Sequence, residues 1–436
     1  MMDLPKRTAL IFAVRLPTGP QIPVGLGYVA RALELARHPC LVLDVNLDSE
    51  ETILCRLAAF SPQIVGITLW NFCASEAYRL LETIRRALPS VTLIAGGPEV
   101  TMEEGAVLEA CPAIDIGVVG EGCETILEIL RGDELAGIPG IVYRSEGAIQ
   151  QTERRAFVHP DSTPFPTYSD FELRRYGPRM SLVSSYGCPY RCIYCSVPRS
   201  KGQAWRPKSW EHMLEEVRFW CDRGYRSFQF HDSNLLLDRV RIGRFCEQVI
   251  DERLDCRFDA RGVRADHLDI ELLGLLRQAG FRTLRIGVES GSDRVLRALK
   301  KGETRQQIET AIREALDAGF ELVLYFLIGS PGEGPEEIKA SFELARKYPV
   351  RKVMFFALTP EPGTEFHDWA VSRGYWTHTR QAGCFKERPL MRTDVMSLEE
   401  LERFHGFARL VELEVAQRYR RRQASANLPP ARSPSA

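Results

Sequence analysis

Short apolar segments alternate with longer segments of helical spacing along the first part of the chain. The apolar segments span 8–14, 40–45, 64–69, 91–95 and 116–119. Between them, apolar residues recur at helical intervals over 25–36, 51–60, 74–87 and 124–131. Strands that alternate with helices predict a parallel sheet with helices on both faces, so we expect residues 1–135 to form one α/β domain.

Glycine-rich turns follow two successive predicted strands of this domain. Residues 96–98 read Gly-Gly-Pro and follow the strand at 91–95, whereas residues 120–122 read Gly-Glu-Gly and follow the strand at 116–119. Ligands of such sheets bind beyond the carboxyl ends of the strands. Glycine also marks turns that bind nothing, but two glycine turns after successive strands favour a ligand cleft.

A second alternating series begins after a connector at 136–180, which includes a small predicted hairpin at 141–150. The predicted strands of this series are 182–185, 227–231, 257–260, 283–288, 322–328 and 352–358. Six strand–helix repeats within 181–375 predict an incomplete parallel barrel of the TIM type, in which chemistry gathers at the carboxyl ends of the strands. We expect a helical region at 376–422 and a disordered tail at 423–436.

The composition limits the classes of function. The chain has 436 residues, 44% of them hydrophobic and 26% charged, and its formal net charge is −1. This balance provides no general attraction for nucleic acid or an anionic membrane. No apolar segment reaches the roughly 18 residues of a spanning helix, and the first residues lack a secretory signal pattern. We therefore expect a cytoplasmic protein with neither a membrane span nor a clear nucleic-acid site.

Three of the twelve cysteines, Cys188, Cys192 and Cys195, are clustered directly after the first strand of the predicted barrel. The others are scattered singly, and most are expected to be small buried hydrophobic residues. They are Cys40, Cys55, Cys73, Cys111, Cys123, Cys221, Cys246, Cys256 and Cys384. The C-x3-C-x2-C spacing supplies soft thiolate ligands, which suit an iron–sulfur cluster or zinc.

The residues around the trio favour an iron–sulfur cluster over the other two interpretations. A structural zinc site would need a fourth close Cys or His, and a predicted helix separates Cys221 from the trio. A chance group of core cysteines is disfavoured because Pro189 and Arg191 suit a core strand poorly. Three thiolates would leave one iron of a four-iron cluster open to bind a small molecule.

With Tyr194 before its last cysteine, the motif resembles the signature of the radical S-adenosylmethionine (radical SAM) superfamily. Segments that match this superfamily follow the later strands at 231–234, 287–291, 326–333 and 359–364. The resemblance implies a [4Fe-4S] cluster on the trio, with S-adenosylmethionine at the open iron. The residues implied to contact S-adenosylmethionine are Tyr194, Asp232, Glu289, Ser290, Gly329 and Pro331. Arg261 is a further candidate, because its guanidinium fork matches the methionine carboxylate, and a surface ion pair is the alternative. Residues 231–234 depart from the superfamily's Gly-Gly-Glu form.

Glycine is frequent in these matching segments, and a glycine allows the backbone to approach a ligand closely. We therefore expect ligand contacts at the glycines of the strand ends, which are Gly287, Gly291, Gly329 and Gly332.

The first domain resembles the flavodoxin-like (Rossmann-like) domain of cobalamin-binding radical SAM enzymes. The residues implied to contact cobalamin are Gly25, Thr68, Trp70, Asn71, Gly96, Gly97, Gly120, Glu121 and Gly122. The usual Asp-x-His-x-x-Gly motif is absent from the loop at 15–27, and His38, the domain's only histidine, precedes a strand. No histidine is therefore expected to ligate the cobalt. The implied architecture is this domain, then a partial (βα)6 radical SAM barrel and a C-terminal helical segment, and the resemblance covers residues 7–375.

The resemblance implies an enzyme that cleaves S-adenosylmethionine reductively, and the domain ahead of the barrel makes cobalamin-dependent methylation of an unactivated carbon the leading hypothesis. Oxidative cyclisation or rearrangement with the same cofactors is the alternative. A non-catalytic cobalamin or iron–sulfur sensor is a third possibility. Tyr186, His231 and Tyr325 are candidate catalytic or pocket residues. The expected partners are a small-molecule or peptide substrate and an electron donor such as flavodoxin or ferredoxin.

Overall fold

The computed structural model describes residues 5–16, 19–376 and 388–426, with the backbone alone at 425 and 426. Its strands are β1 (Thr8–Phe12), β2 (Cys40–Asp44), β3 (Ile64–Thr68), β4 (Thr92–Gly96), β5 (Ile116–Val118), β6 (Ile141–Ser145), β7 (Ala148–Gln151), β8 (Arg179–Leu182), β9 (Ser185–Tyr186), β10 (Arg206–Pro207), β11 (Ser227–Phe230), β12 (Arg257–Val263), β13 (Phe281–Glu289), β14 (Glu321–Ile328) and β15 (Lys352–Ala357).

The α-helices span most of the segments with helical spacing. They are α1 (Val24–Leu35), α2 (Glu50–Phe60), α3 (Ala74–Ala87), α4 (Pro98–Glu103), α5 (Gly105–Ala110), α6 (Cys123–Arg131), α7 (Val197–Lys201), α8 (Trp210–Cys221), α9 (Arg239–Asp251), α10 (Ile270–Gln278), α11 (Asp293–Ala298), α12 (Arg305–Asp317), α13 (Pro335–Lys347), α14 (Glu365–Ser372) and α15 (Leu398–Ala426). Helix α15 continues to Ala426, so the prediction of a disordered tail from residue 423 is wrong for residues 423–426. Cys384 and the rest of the predicted tail lie outside the described residues.

Side-chain caps explain where several helices begin. The Ser209 hydroxyl accepts a hydrogen bond from the amide of His212 at the start of α8. Thr304 and Gln307 form a reciprocal capping box at the start of α12. Each cap satisfies an amide that has no partner within its own helix, so the polar residue ahead of each apolar segment sets the helix boundary.

The described residues divide into two compact units, and the first comprises 5–16, 19–190, 195–233 and 360–376. Its main sheet has the order β2-β1-β3-β4-β5-β6-β7. Strands β1 to β5 are parallel, whereas β6 and β7 are antiparallel at one edge. The hairpin of the predicted connector therefore extends the sheet of the first α/β series. This unit also holds the parallel pair β8–β11 and the short antiparallel pair β9–β10.

The second unit comprises 191–194, 234–359 and 388–426. Its four strands, β12 to β15, are parallel and pair in chain order. Large side chains on the helix-covered face of this sheet form its core. They include Phe258, Phe281, Phe326 and Phe355, all buried. The long helix α15 packs against β15 and α13.

The predicted fold class is confirmed, because two α/β series with parallel strands precede a C-terminal helix. The first barrel strand ends earlier than predicted, at Leu182. The backbone of Ser184 is diverted because its amide donates to the carboxylate of Asp232 rather than to a neighbouring strand. Within the described ranges, no helix combines the length and apolar character needed to cross a bilayer.

Candidate cofactor-binding site

The loop after β3 exposes part of two aromatic side chains. Thr68 ends the strand, and the rings of Trp70 and Phe72 pack edge to face with their centroids 5.3 Å apart. Asn71 accepts a hydrogen bond from the amide of Phe72 at 3.0 Å. Trp70, Asn71 and Phe72 are half-buried, so this loop offers both apolar and amide surface at the carboxyl end of the sheet.

The glycines of the first unit differ in how closely other atoms pack against them. Gly97 has a φ of +100°, and a Cβ there would lie 2.8 Å from the carbonyl oxygen of Leu69, so packing between loops requires this glycine. Gly96 ends β4, and Gly122 is the N-cap of α6. In contrast, a Cβ at Gly25 or Gly120 would meet no atom of the described residues within 4 Å. These two positions leave the backbone accessible, and their contact with cobalamin stays a prediction.

Glu121 is paired within the protein. Its carboxylate accepts hydrogen bonds from Arg206 at 2.7 Å and from the amide of Val158 at 3.4 Å. A new ligand on this carboxylate would have to compete with both donors. A direct contact between Glu121 and cobalamin therefore stays a prediction, and the structure gives the residue a second possible role.

The turn at Cys188 is fixed by backbone contacts. Gly187 has a φ of +76°, and a Cβ there would overlap the carbonyl oxygen of Ala204. The amide of Cys188 donates to the carbonyl of Gly202 at 3.3 Å. Only glycine fits at position 187, because any side chain would push this turn away from the segment that supports it. Cys188 and Cys195 are half-buried and belong to the first unit.

Asp232 is buried and satisfied by serine donors. Its carboxylate accepts from the Ser184 amide at 3.2 Å, the Ser184 hydroxyl at 2.8 Å and the Ser185 hydroxyl at 2.6 Å. Burial lowers the pKa of Lys201, although the charges of Asp232 and Cys195 act to raise it. Asp232 thus holds the end of β8 in place, and a contact to S-adenosylmethionine would be an additional role.

Cys192 belongs to the second unit and lies among charged residues. Burial raises the pKa of its thiol, and the positive charge of Lys301 opposes this effect most strongly. Glu289 also raises the pKa, whereas Arg264 and a hydrogen bond with Tyr194 lower it. Cations beside a cysteine favour the thiolate, which is the form that binds iron.

Lys301 is the centre of a buried charge network. Its Nζ lies 3.0 Å from the carboxylate of Glu289 and 3.2 Å from that of Glu303. Arg264 donates to the carbonyl of Lys301 at 2.9 Å and pairs with Asp266 at 2.8 Å. Burial lowers the pKa of Lys301, but the two carboxylates outweigh it and raise the pKa above that of a free lysine. The sequence carried no signal for this network, because the segment that matches the superfamily here ends at residue 291.

The end of β13 is irregular. The register with β14 shifts between Gly287 and Glu289, and Glu289 has a φ of +63°. Such a shift redirects a side chain, and bulges of this kind are common next to active sites. The hydroxyl of Ser290 accepts from the amide of Ser292 at 3.2 Å and lies 3.4 Å from the hydroxyl of Ser341.

Protein packing explains two of the glycines for which the sequence predicted ligand contacts. A Cβ at Gly291 would lie 2.5 Å from the carbonyl oxygen of Ala340 on α13, and a Cβ at Gly287 would lie 2.5 Å from the Glu289 carboxylate. For Gly329, whose φ is +98°, the nearest atom is 4.0 Å away on Leu401. Gly329 therefore has the free space that Gly287 and Gly291 lack, and Pro331 follows it in the same loop.

Glu333, which follows this loop, is fully buried. One carboxylate oxygen accepts from the amides of Gly329 at 2.7 Å and Ser330 at 3.2 Å. The other oxygen and the Ser330 hydroxyl are buried, and neither has a hydrogen-bond partner among the described residues. Burial raises the pKa of Glu333 to about 7, although the two amides act to lower it. The sequence motif contained this glutamate but did not indicate that it holds the loop.

Glu333→Gln should remove a pH dependence of stability. The wild-type carboxyl keeps its proton in the folded state up to about pH 7, whereas the unfolded chain loses it near the ordinary value, so the free energy of unfolding falls as the pH rises through this window. The glutamine amide does not ionise, so the variant should avoid the decrease of about 3 kcal/mol in the free energy of unfolding that we expect for the wild type. Urea unfolding between pH 4.5 and 8 measures the difference, with the exposed Glu336→Gln on α13 as control. Parallel profiles for wild type and Glu333→Gln would contradict the assignment.

Contacts link Asp259, Arg285 and Tyr325 across three neighbouring strands of the second sheet. The guanidinium of Arg285 pairs with the carboxylate of Asp259 through two hydrogen bonds of 2.8 and 2.7 Å, so their charges cancel. Tyr325 accepts from Arg285 at 3.4 Å, and its ring centroid lies 5.8 Å from that of Phe356. Arg261, farther along β12, is half-buried. The contact of Arg261 with S-adenosylmethionine and the pocket role of Tyr325 stay predictions.

The other two candidate pocket residues lie in the first unit. The amide of His231 donates to the carbonyl of Leu182 at 2.8 Å. The ring of Tyr186 lies 5.6 Å from the guanidinium of Arg206, and burial raises the pKa of Tyr186 well above its usual value. Tyr186 therefore stays a neutral phenol at physiological pH.

The cysteine trio supplies soft thiolate donors, and the positive charge of Lys301 acts on one of them, Cys192. In the parts of the chain that the structure describes, no group of three or more His, Cys, Asp or Glu side chains is arranged to hold a single metal ion. Three soft thiolates are the donor chemistry that suits an iron–sulfur cluster.

Two family models match the chain, one in each α/β series. Residues 12–130 match the B12 binding domain, and residues 182–345 match the radical SAM superfamily. These matches confirm the predicted cofactor set of iron–sulfur cluster, S-adenosylmethionine and cobalamin. Which residues hold each cofactor stays a prediction.

Curated relatives and solved structures align with most of this chain. An uncharacterized methyltransferase of Pyrococcus horikoshii is 30% identical over 385 residues, which are 85% of this chain and 83% of the relative. The anaerobic magnesium-protoporphyrin IX monomethyl ester cyclase of Synechocystis is 26% identical over 386 residues, 82% of this chain and 75% of the relative.

Among solved structures, the radical S-adenosylmethionine methyltransferase TsrM of Kitasatospora setae, with cobalamin and a [4Fe-4S] cluster bound, has a TM-score of 0.76. It is 22% identical, and the match covers 92% of this chain and 85% of that one, so it shows a common fold. Together with the family models and the relative from Pyrococcus, these findings lead to one conclusion. The chain belongs to the radical SAM superfamily, among the members that carry an N-terminal B12-binding domain.

Proposed function

We propose that the protein is a cobalamin-dependent methyltransferase that transfers a methyl group from S-adenosylmethionine to an unactivated carbon of a small molecule or peptide. The observation that carries the proposal is the combination of a B12-binding domain and a radical SAM domain in a chain that is 30% identical to a protein described as a methyltransferase. Bound together, the three cofactors would supply hydrogen abstraction from the substrate and the methyl group that replaces the hydrogen. A flavodoxin or ferredoxin would serve as electron donor.

The chain's own residues would bind and orient these groups. Cys188, Cys192 and Cys195 would hold the cluster, and the buried cation Lys301 would support the Cys192 thiolate. The open backbone positions at Gly25 and Gly120 would receive cobalamin.

The strand ends of the second unit would bind S-adenosylmethionine. Gly329 and Pro331 would line the adenine, because Gly329 has free space beside it. Glu289 would reach the hydroxyls or the methionine part, in addition to its pair with Lys301. Arg261 carries a guanidinium fork, which matches a carboxylate.

Oxidative cyclisation is the second candidate, and the 26% identity with a cyclase from Synechocystis supports it. The two reactions differ in the products of S-adenosylmethionine. A methyltransferase consumes it as methyl donor and releases S-adenosylhomocysteine as well as 5′-deoxyadenosine. A cyclase would release 5′-deoxyadenosine alone.

The test is anaerobic incubation of the reconstituted protein with hydroxocobalamin, reductant and S-adenosylmethionine, followed by liquid chromatography of the nucleoside products. We expect 5′-deoxyadenosine and, in amounts stoichiometric with the bound cobalamin, S-adenosylhomocysteine. Omission of reductant is the control and should stop formation of 5′-deoxyadenosine. 5′-Deoxyadenosine alone would favour the cyclase, and neither product from fully loaded protein would overturn the proposal in favour of a sensor.

A further inference from the structure

Arg206 occupies a central position in the first unit. It lies on β10, where its backbone pairs with Tyr186 of β9. Tyr186 directly precedes Gly187 and Cys188, so this two-stranded ladder leads into the cysteine turn. The guanidinium is enclosed, with only 14% of the Arg206 side chain exposed.

The guanidinium of Arg206 joins three separate segments. It pairs with the carboxylate of Glu121 at 2.7 Å and donates to the carbonyls of Val158 at 2.6 Å and Lys201 at 3.2 Å. It also lies 4.3 Å from the centroid of the Phe157 ring. A planar fork with several donors and a stacking face makes such a set of contacts, which a lysine ammonium cannot reproduce.

One of these segments supports the cysteine turn. The chain that begins at Lys201 continues through Gly202, whose carbonyl accepts from the Cys188 amide, and Ala204, whose carbonyl leaves no room for a Cβ at Gly187. A shift of this segment would therefore move the Cys188 amide and the thiolate that follows it. The hydrogen bond from Arg206 to Lys201 fixes where the segment starts.

Another of these segments is the loop after β5. Glu121 lies between Gly120 and Gly122, and the amide of Gly120 donates to the hydroxyl of Thr101 at 3.0 Å. This loop offers the open backbone position at Gly120. The pair between Arg206 and Glu121 therefore connects the loop assigned to cobalamin with the segment that supports Cys188.

We propose that Arg206 is a positioning residue through which cobalamin binding and cluster binding depend on each other. This inference rests on the proposed function, since it needs both cofactors in one protein. The guanidinium of Arg206 binds both the loop after β5 and the segment that supports the Cys188 turn. A ligand that orders one of these segments therefore also orders the other. Coupling between two sites is reciprocal for binding free energies.

The test measures hydroxocobalamin affinity by absorbance titration for protein with and without a reconstituted cluster. In the wild type, we expect the cluster to strengthen hydroxocobalamin binding about tenfold. In Arg206→Ala, Arg206→Lys and Glu121→Gln, the difference should fall to less than about twofold. The double variant Arg206→Ala/Glu121→Gln should show no further loss, because both changes break one pair.

Arg155→Ala is the matched control. Arg155 has 13% of its side chain exposed and pairs with Glu124 and Glu128 in the same unit, but these contacts do not involve the segment at 201–204. The control should keep the full tenfold difference even where its melting temperature drops as much as that of Arg206→Ala.

Two results would overturn the coupling while leaving the proposed function intact. One is a wild type that binds hydroxocobalamin equally well with and without the cluster. The other is an Arg206→Ala variant that keeps the wild-type difference, which would make Arg206 an ordinary structural residue. A wild type that binds no hydroxocobalamin at all would overturn both proposals.

Discussion

Cys192→Ala should reduce the iron content of anaerobically reconstituted protein from about four atoms per chain to background. A methyl group offers no ligand to iron, and the two remaining cysteines of the trio cannot hold a cluster that needs three thiolates. The variant should also lose the electron paramagnetic resonance signal of the reduced cluster and all reductive cleavage of S-adenosylmethionine. Colorimetric iron and sulfide assays measure the first effect directly.

Cys246→Ala is the control for this experiment. Cys246 is fully buried on α9 and lies outside the motif, so its loss should leave the iron content unchanged. The substitution should leave a small cavity, which lowers the free energy of unfolding by about 1 to 2 kcal/mol. Full iron loading of Cys192→Ala, or a wild type that takes up zinc alone, would refute the assignment of the trio.

Lys301→Met should lower the free energy of unfolding by about 3 to 5 kcal/mol. The methionine fills much of the same space, but it removes the cation that pairs with the buried carboxylate of Glu289. It also removes one of the two cations beside Glu303, which keeps Arg264 at 3.6 Å. It also removes the charge that lowers the pKa of the Cys192 thiol, so iron loading at neutral pH should weaken. Urea unfolding, monitored by far-ultraviolet circular dichroism, gives the stability change.

Two further variants test whether the loss of stability depends on the burial of the ion pairs. Lys339→Met removes the cation of an exposed pair with Glu336 and should change stability by less than about 1 kcal/mol. The double variant Lys301→Met/Glu289→Gln should recover part of the loss, because the buried carboxylate that Lys301→Met leaves unpaired is then replaced by a neutral amide. Equal losses for Lys301→Met and Lys339→Met would show that the network contributes no more than a surface pair.

Local patterns accounted for most of the fold. Apolar periodicity depends on neighbours within a few residues, so it located five of the six predicted strands of the second series, whereas β8 overlaps the predicted strand at 182–185 only at Leu182. The cysteine trio was equally visible, because its three cysteines fall within eight consecutive positions, 188–195. The ligand contacts expected at Gly120 and Gly329 stay predictions.

Contacts between distant segments could not be predicted in this way. Arg206 and Glu121 are separated by 85 positions, and no periodic pattern marks either as the partner of the other. Gly291 resembled a ligand-binding glycine, but its close neighbour is the backbone of Ala340 on a later helix. A motif residue therefore predicts the region of a binding site more reliably than it predicts which atoms that residue contacts.

The backbone conformation of Glu289 contributes to the energetic effect of any substitution at this position. A φ of +63° is a conformation that glycine adopts freely, whereas other residues reach it at a cost of about 1 to 3 kcal/mol. Replacement by alanine would delete the carboxylate and keep that penalty, so the two effects would be measured together. Glycine at this position would remove the side chain and the strain at once. The difference between the two substitutions separates the conformational energy stored at the end of β13 from the electrostatic energy of the carboxylate.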